Sequence, residues 1–564
     1  MPVHTQHLQG RLAHYTAVGS FSLGWSPSSH GSQQRLAETE MSNQDTRIAH
    51  LYHESTKLLY LDLERKPPAY KRYRALSPLP LPIDFSPPAV PTLEAVANAV
   101  RTTGTASDVD QAALAGLLFF SAGRIKTRHF TGAGDVTFRA ASSAGGLYPI
   151  EVYVVCGPLP GLEAGVYHFS PADFALRCLR QGDYREALAH AVGGDRTVAQ
   201  APGTLVFTAL FWRSAWKYRV RSYRYCLWDN GTMLANLLAT AAAFGIPARI
   251  TMGFVDDQVN QLLGLDGQRE ASICLVPLGK PEDLPSQVEP PDVPPLIVEI
   301  VPSSVEELDY PDLHQIHAAS VLTTPEEAAA WGGRLDATPV RSTGPLYPLK
   351  PFDATATASL NLHDVIRRRG STRRFERQPI AFSQLSTILS HATTGIAADC
   401  LGQGGASLLH IYLIVNAVEE LPAGSYVFAA PEQALECLKT GDLREESGHL
   451  CFEQALGADA SAVVFFMADL DRMLRRFGNR GYRAVQLEAG IIGGKMYLGA
   501  YSLGLGASGL TFYDNDVTAF FSPHAAGKSA IFVVALGRTA RENRVRPYRS
   551  RVAMRRDALS RKDG

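Results

Sequence analysis

KYRVRSYRYCLWDNGTMLANLLATAAAFGI at 217–246 and RFGNRGYRAVQLEAGIIGGKMYLGAYSLGL at 476–505 are two versions of one segment. A second pair lies upstream: SAGGLYPIEVYVV at 143–155 and GQGGASLLHIYLIV at 402–415. Tyr153 and Tyr412 stand 259 residues apart, as do Lys217 and Arg476, and Gly279 and Gly537 are 258 apart. An offset that holds from Tyr153 to Gly279 marks a duplicated domain. The two copies have diverged mainly at polar positions, so the differences between them carry the functional information.

The duplication divides the 564 residues into a Ser-, Gly-, Gln- and His-rich leader at 1–45, copy 1 at 46–280, a Pro-rich connector at 281–355 and copy 2 at 356–564. The leader has no basic segment followed by an apolar run, and so does not read as a signal peptide. Hydrophobic residues make up 46% and charged residues 19%, as in ordinary globular domains, and the net charge of −1 argues against nucleic acid or an anionic membrane as partner. Seven cysteines without a CxxC suggest neither a metal site nor a disulfide framework, and fit a reducing cytoplasm. No apolar stretch approaches the ~20 residues of a membrane span.

Apolar spacing predicts a lead-in helix over 47–58, helices over 93–101 and 111–121, and strands over 150–156, 201–209 and 271–278. Between them lies a long apolar helix over 230–244, closed by Gly245 with Pro247 beyond. Copy 2 repeats the order, with helices over 361–369, 382–391 and 484–503 and strands over 409–416, 461–467 and 529–536. One helix, 325–331, is predicted in the connector. The long helix is apolar nearly all round and should lie buried.

Three motifs stand out. Arg367-Arg368-Arg369-Gly370-Ser371-Thr372-Arg373-Arg374 ends a helix and can present a fork of donors to a phosphate. A solvated basic helix end would also explain it, but copy 1 keeps only Arg101 at the matching place, and that asymmetry favours an anion site. The turn Ser143-Ala144-Gly145-Gly146-Leu147-Tyr148-Pro149 lets backbone approach a flat ligand; copy 2 keeps its glycines but loses Ser, Tyr and Pro. Lys217-Tyr218, beside Trp212 and Trp216, could form a proton-transfer pair in an aromatic pocket, although a lysine stem packed beside a tyrosine is the commoner arrangement. Copy 2 carries Arg476-Phe477 there, which cannot do that chemistry.

Together, RRRGSTRRF, SAGGLYPIEVYVV, WKYRVRSYRY and NRGYRAVQLEAG resemble the nitroreductase family and its SagB-type dehydrogenase branch, over most of the chain from Arg47 onward. The resemblance implies an α+β fold: two tandem nitroreductase-like domains forming an intramolecular pseudo-dimer, with mixed or antiparallel sheets and a central buried helix. It implies FMN at the interface, with the phosphate held by Arg369, Ser371 and Arg373, joined by Arg549 or Arg551 of the tail. Ser143, Ala144, Gly145 and Gly146 would line the flavin ring, Gly509 and Leu510 would pass near its N5, and Lys217 and Tyr218 would be catalytic. No single copy has a full set, so one site would draw its phosphate grip from copy 2 and its ring turn and Lys-Tyr pair from copy 1. The opposite site would be empty.

The expected reaction is FMN-dependent dehydrogenation of a peptide-derived azoline to an azole, on a peptide or small-molecule substrate. It leaves room for a cyclodehydratase partner and for a monomeric chain. Two rival readings are an NAD(P)H-dependent nitro- or quinone-reductase and a flavin-less scaffold for a peptide-modifying complex.

Overall fold

The computed structural model describes residues 43–540 apart from 57–66, 100–106, 131–133, 283–288, 303, 305–306, 334–343, 353–359 and 402–406. Arg101, most of the 402–408 turn, and Arg549 and Arg551 therefore lie outside the described residues.

Alternating and continuous apolar runs build one antiparallel sheet per copy. In copy 1 the strands run, edge to edge, Pro78–Pro80, Ala175–Gln181, Gly165–Ser170, Ile150–Cys156, Gly203–Leu210 and Glu270–Leu278. In copy 2 the order is Leu346–Pro348, Ala434–Thr440, Gly424–Ala429, His410–Val415, Ala462–Ala468 and Ser529–Thr539, with Phe375–Glu376 and Gly506–Gly509 both paired to the last strand. Every strand pair is antiparallel, and the two sheets repeat one topology. The edge strand of copy 2, Leu346–Pro348, comes from the connector.

The long helices are Ser222–Phe244 and Arg480–Ser502, both starting earlier than the apolar pattern predicts because their first turns bury polar side chains. The first ends at Gly245 in the left-handed region (φ 68°), as the sequence signals. These helices cross at Gly231 and Gly490, which are equivalent positions of the two copies. A Cβ on Gly231 would stand 2.6 Å from the Cα of Gly490, and one on Gly490 would stand 3.0 Å from the Cα of Gly231. Only hydrogen at both positions permits this approach, so the crossing marks the axis of the intramolecular pseudo-dimer.

Ion pairs repeat about that axis. Arg224 and Arg221 of copy 1 reach Asp514 of copy 2 at 2.6 and 3.0 Å, while Arg483 and Arg480 of copy 2 reach Asp256 of copy 1 at 2.8 and 2.6 Å. All six side chains are buried. Burial pushes both carboxyls up, but the paired arginines hold them below their ordinary value.

The connector also holds a helix the sequence reading lacks, Pro311–Ala319, beside the predicted one at Pro325–Ala330. It packs against the lead-in helix Arg47–Ser55. Its His317 meets Arg483 as His53 of the lead-in meets Arg224. Part of the connector is thus the lead-in of copy 2. Among the described residues no helix is long and apolar enough to cross a membrane.

Candidate functional site

In copy 1 the Ser143–Tyr148 turn is fixed by one carboxylate of the long helix. Ser143 Oγ donates to Asp229 Oδ2 at 2.5 Å, and the Ala144 amide donates to Asp229 Oδ1 at 2.8 Å. The Tyr148 amide donates back to Ser143 Oγ at 2.8 Å. Burial pushes the Asp229 carboxyl up to about 8, against the pull of those two donors. The sequence reading did not single out this residue, although its equivalent in copy 2, Glu488, is also acidic.

Gly145 and Gly146 adopt φ of 62° and 67°, in the region that favours glycine. Both are exposed, between the half-buried Ala144 and the buried Leu147, and a Cβ on Gly146 would meet nothing within 4 Å. On Gly145 a Cβ would stand 2.8 Å from Tyr218 Oη and 2.9 Å from Lys217 Nζ. The fold therefore carries the Lys-Tyr pair onto the glycine turn, leaving open space on the turn's far side.

Tyr218 is held by an aromatic ladder. It stacks on Tyr225 at 4.1 Å; Tyr225 meets Trp228 edge-on at 4.8 Å; Trp228 meets Phe532 of copy 2 at 5.1 Å. Burial, then Tyr225 and Asp229, hold the Tyr218 phenol well above its ordinary value, and Arg373 of copy 2 pulls it back. The charge of Arg373 thus acts on a tyrosine of the other copy.

The remaining walls come from copy 2. Arg369, 8% exposed, donates through Nε and Nη2 to Ala140 O of copy 1 at 3.2 and 2.5 Å. Ser371 Oγ lies 3.2 Å from Tyr497 Oη, which accepts from the Gly509 amide at 2.6 Å. The Thr372 amide donates to Ala507 O at 2.9 Å. The arginine turn is thereby latched to the 506–510 segment. The Leu510 amide is engaged by Val533 O at 3.1 Å, so this segment presents the exposed face of Gly509 rather than unengaged amides.

On the other side of the axis, the described residues of the equivalent region make contacts within their own chain. Arg476 and Phe477 stand where copy 1 has Lys217 and Tyr218. Trp331 of the connector packs on Phe477 at 5.7 Å and donates to its carbonyl at 2.9 Å; Arg476 donates to Gly332 O. The backbone of Ile250 bonds to Ala397 and Asp399. Asp399 Oδ2 accepts from the amides of Met252 and Gly253 at 2.7 and 2.8 Å, just beyond Thr251, whose amide donates to Leu275 O as that of its counterpart Leu510 donates to Val533 O.

The sequence profile of the nitroreductase family matches residues 86–280 and 366–541. A Methanocaldococcus jannaschii protein named as a nitroreductase is 30% identical over 164 residues, 28% of this chain and 82% of its own. The microcin B17-processing protein McbC of Escherichia coli is 32% identical over 154 residues, 26% of this chain and 55% of its own, so the match spans about half of McbC. A crystal structure of an Anabaena variabilis protein, also named as a nitroreductase, superposes with a TM-score of 0.69 at 26% identity, covering 87% of this chain and 99% of that one. A profile matching well over half the residues, in two blocks that coincide with the two copies, shows that this chain belongs to the nitroreductase family.

Proposed function

We propose that the chain is an FMN-dependent dehydrogenase with one composite flavin site, which oxidises a peptide-derived azoline to an azole. The observation that carries this reading is the convergence of Lys217 Nζ and Tyr218 Oη on the open Gly145–Gly146 turn, beside the arginine turn of the other copy. Exposed glycines with space above them fit a flat ring, and the buried Arg369 with the exposed Arg373 in the same turn fits a phosphate. Arg369, Ser371 and Arg373 would hold the phosphate, with Arg549 or Arg551 added from the tail. Ser143, Ala144, Gly145 and Gly146 would line one face of the ring, and Gly509 and Leu510 the other. Bound FMN supplies a hydride acceptor that oxygen can reoxidise.

The chain's own groups divide the proton work. Burial keeps Tyr218 protonated, so its Oη acts as a hydrogen-bond donor that orients the heterocycle. Lys217 Nζ is left as the base that takes the ring proton. The aromatic ladder behind Tyr218 excludes water and fixes the hydroxyl. The likeness to a microcin-processing protein supports a peptide substrate, and with it a cyclodehydratase partner that forms the azoline.

The test is an azoline-peptide oxidation assay on flavin-loaded protein, with Lys217→Ala as control. Wild type should form azole with oxygen consumption, and the variant should keep its flavin and lose turnover. Rapid bleaching by NADH without azole formation would instead identify a reductase. Colourless protein that takes up no flavin would identify a scaffold.

A further inference from the structure

A hairpin unique to copy 1 stands beside the arginine turn. Gln111 and Phe382, the first residues of equivalent helices, are 271 apart, whereas Tyr153 and Tyr412 are 259 apart. Copy 1 therefore carries about a dozen extra residues between these points, and they form the paired strands Arg124–Phe130 and Gly134–Arg139. The hairpin runs directly into Ala140, whose carbonyl binds Arg369.

This hairpin is basic, and it directs two of its cations, Arg139 and Lys126, inward. Lys126, paired across the ladder with Phe138, is only 9% exposed, and its Nζ sits 5.5 Å from the centre of that ring. Burial, then the charges of Arg128 and Arg369, push its ammonium down to about 8. Among the described residues, none of these three cations forms an ion pair with a carboxylate, and the one acidic group of the hairpin, Asp135, is paired with His129 at 2.9 Å. Arg369 is likewise surrounded by neutral partners: Ala140 O, Tyr148, Tyr497 and Tyr501. Like charges gathered in a desolvated place oppose folding unless an anion joins them. Lys126 and Arg369, close enough for the charge of one to act on the other and with the charge of Arg128 also acting on Lys126, match a doubly charged phosphomonoester better than a single carboxylate.

We propose that Lys126, supported by Arg128, completes the phosphate grip from copy 1, so that the flavin phosphate is held from both copies rather than from copy 2 alone. The proposal rests on the composite flavin site. It places Lys126 at the phosphate and not at the ring, so its removal should separate FMN from riboflavin, which lacks the phosphate.

The experiment measures dissociation constants of FMN and riboflavin on deflavinated full-length protein, by flavin fluorescence, for wild type, Lys126→Met and Lys126→Arg. Methionine keeps an apolar stem over Phe138 and removes the charge. Lys126→Met should weaken FMN by about tenfold to a hundredfold, the range for one charge-assisted phosphate contact, and leave riboflavin unchanged. Lys126→Arg should recover most of the loss. Unchanged FMN affinity in Lys126→Met, equal weakening of both flavins, or no recovery with arginine would each overturn the proposal while leaving the flavin site standing. Wild-type protein that binds neither flavin would overturn the site itself, and the proposal with it.

Discussion

The proposed composite site and its counterpart across the pseudo-dyad are built from equivalent segments of the two copies but carry different residues. In the first, the glycine turn faces open space and the Lys-Tyr pair converges on it. In the second, Trp331 covers Phe477, and Asp399 accepts from the backbone amides of Met252 and Gly253. Even Asn236, a neutral amide donating to Ala140 O, is replaced across the axis by Lys495, a buried lysine that desolvation pushes down to about 7. A symmetric homodimer must keep two equal sites. Fusing the subunits into one chain releases that constraint, and here Lys217-Tyr218 is kept on one side while Arg476-Phe477 engages the connector on the other.

The largest expected contrast is catalytic. Lys217→Ala should lower turnover by about 10²- to 10⁴-fold, the usual worth of a positioned base, with flavin retained. Changing its counterpart Arg476 to Ala should leave turnover within about twofold, and a comparable loss there would mean that both sites work. Steady-state kinetics and absorbance spectra decide it.

Next come the ion pairs, which should behave alike although the sites do not. Asp256→Ala and Asp514→Ala each strand two buried arginines, and each should destabilise by about 3–5 kcal/mol in urea unfolding. A large difference between them would show that the pseudo-symmetry stops short of the core. Asp399→Ala leaves two amides unsatisfied on the far side of the axis, for about 1–3 kcal/mol of stability, with FMN affinity unchanged.

The smallest effect concerns Asp229. Asp229→Asn should loosen the turn and weaken FMN by about tenfold, whereas Glu488→Gln should not alter it. The raised carboxyl also links stability to pH. Its contribution is fully present below the ordinary value of 3.8 and is lost as pH rises to about 8. Wild-type melting temperature should therefore fall across that window more than that of Asp229→Asn, followed by thermal unfolding at successive pH values.

The repeat made the fold legible, because apolar positions are held by close packing in both copies and offset counting needs no knowledge of the structure. Gly231 and Gly490 survive as a pair for that reason. Strands such as Gly165–Ser170 and Ala175–Gln181 escaped, since their runs mix polar and apolar residues without a clean period. The site was legible where short motifs carry it, at Ser143–Gly146, Lys217–Tyr218 and Arg369–Arg373. Asp229 was missed because it acts through the turn, although an acid at both 229 and 488 was a usable signal. Lys126 and Asp399 had none, because both sit where the two copies do not align, and only the folded chain brings them to Arg369 and Met252.

The central claim is one site divided between two domains, and flavin stoichiometry tests it most directly. Protein saturated with FMN and freed of excess should carry one flavin per 61.1 kDa chain, by absorbance against protein concentration. A ratio near two, or no bound flavin at all, would contradict it.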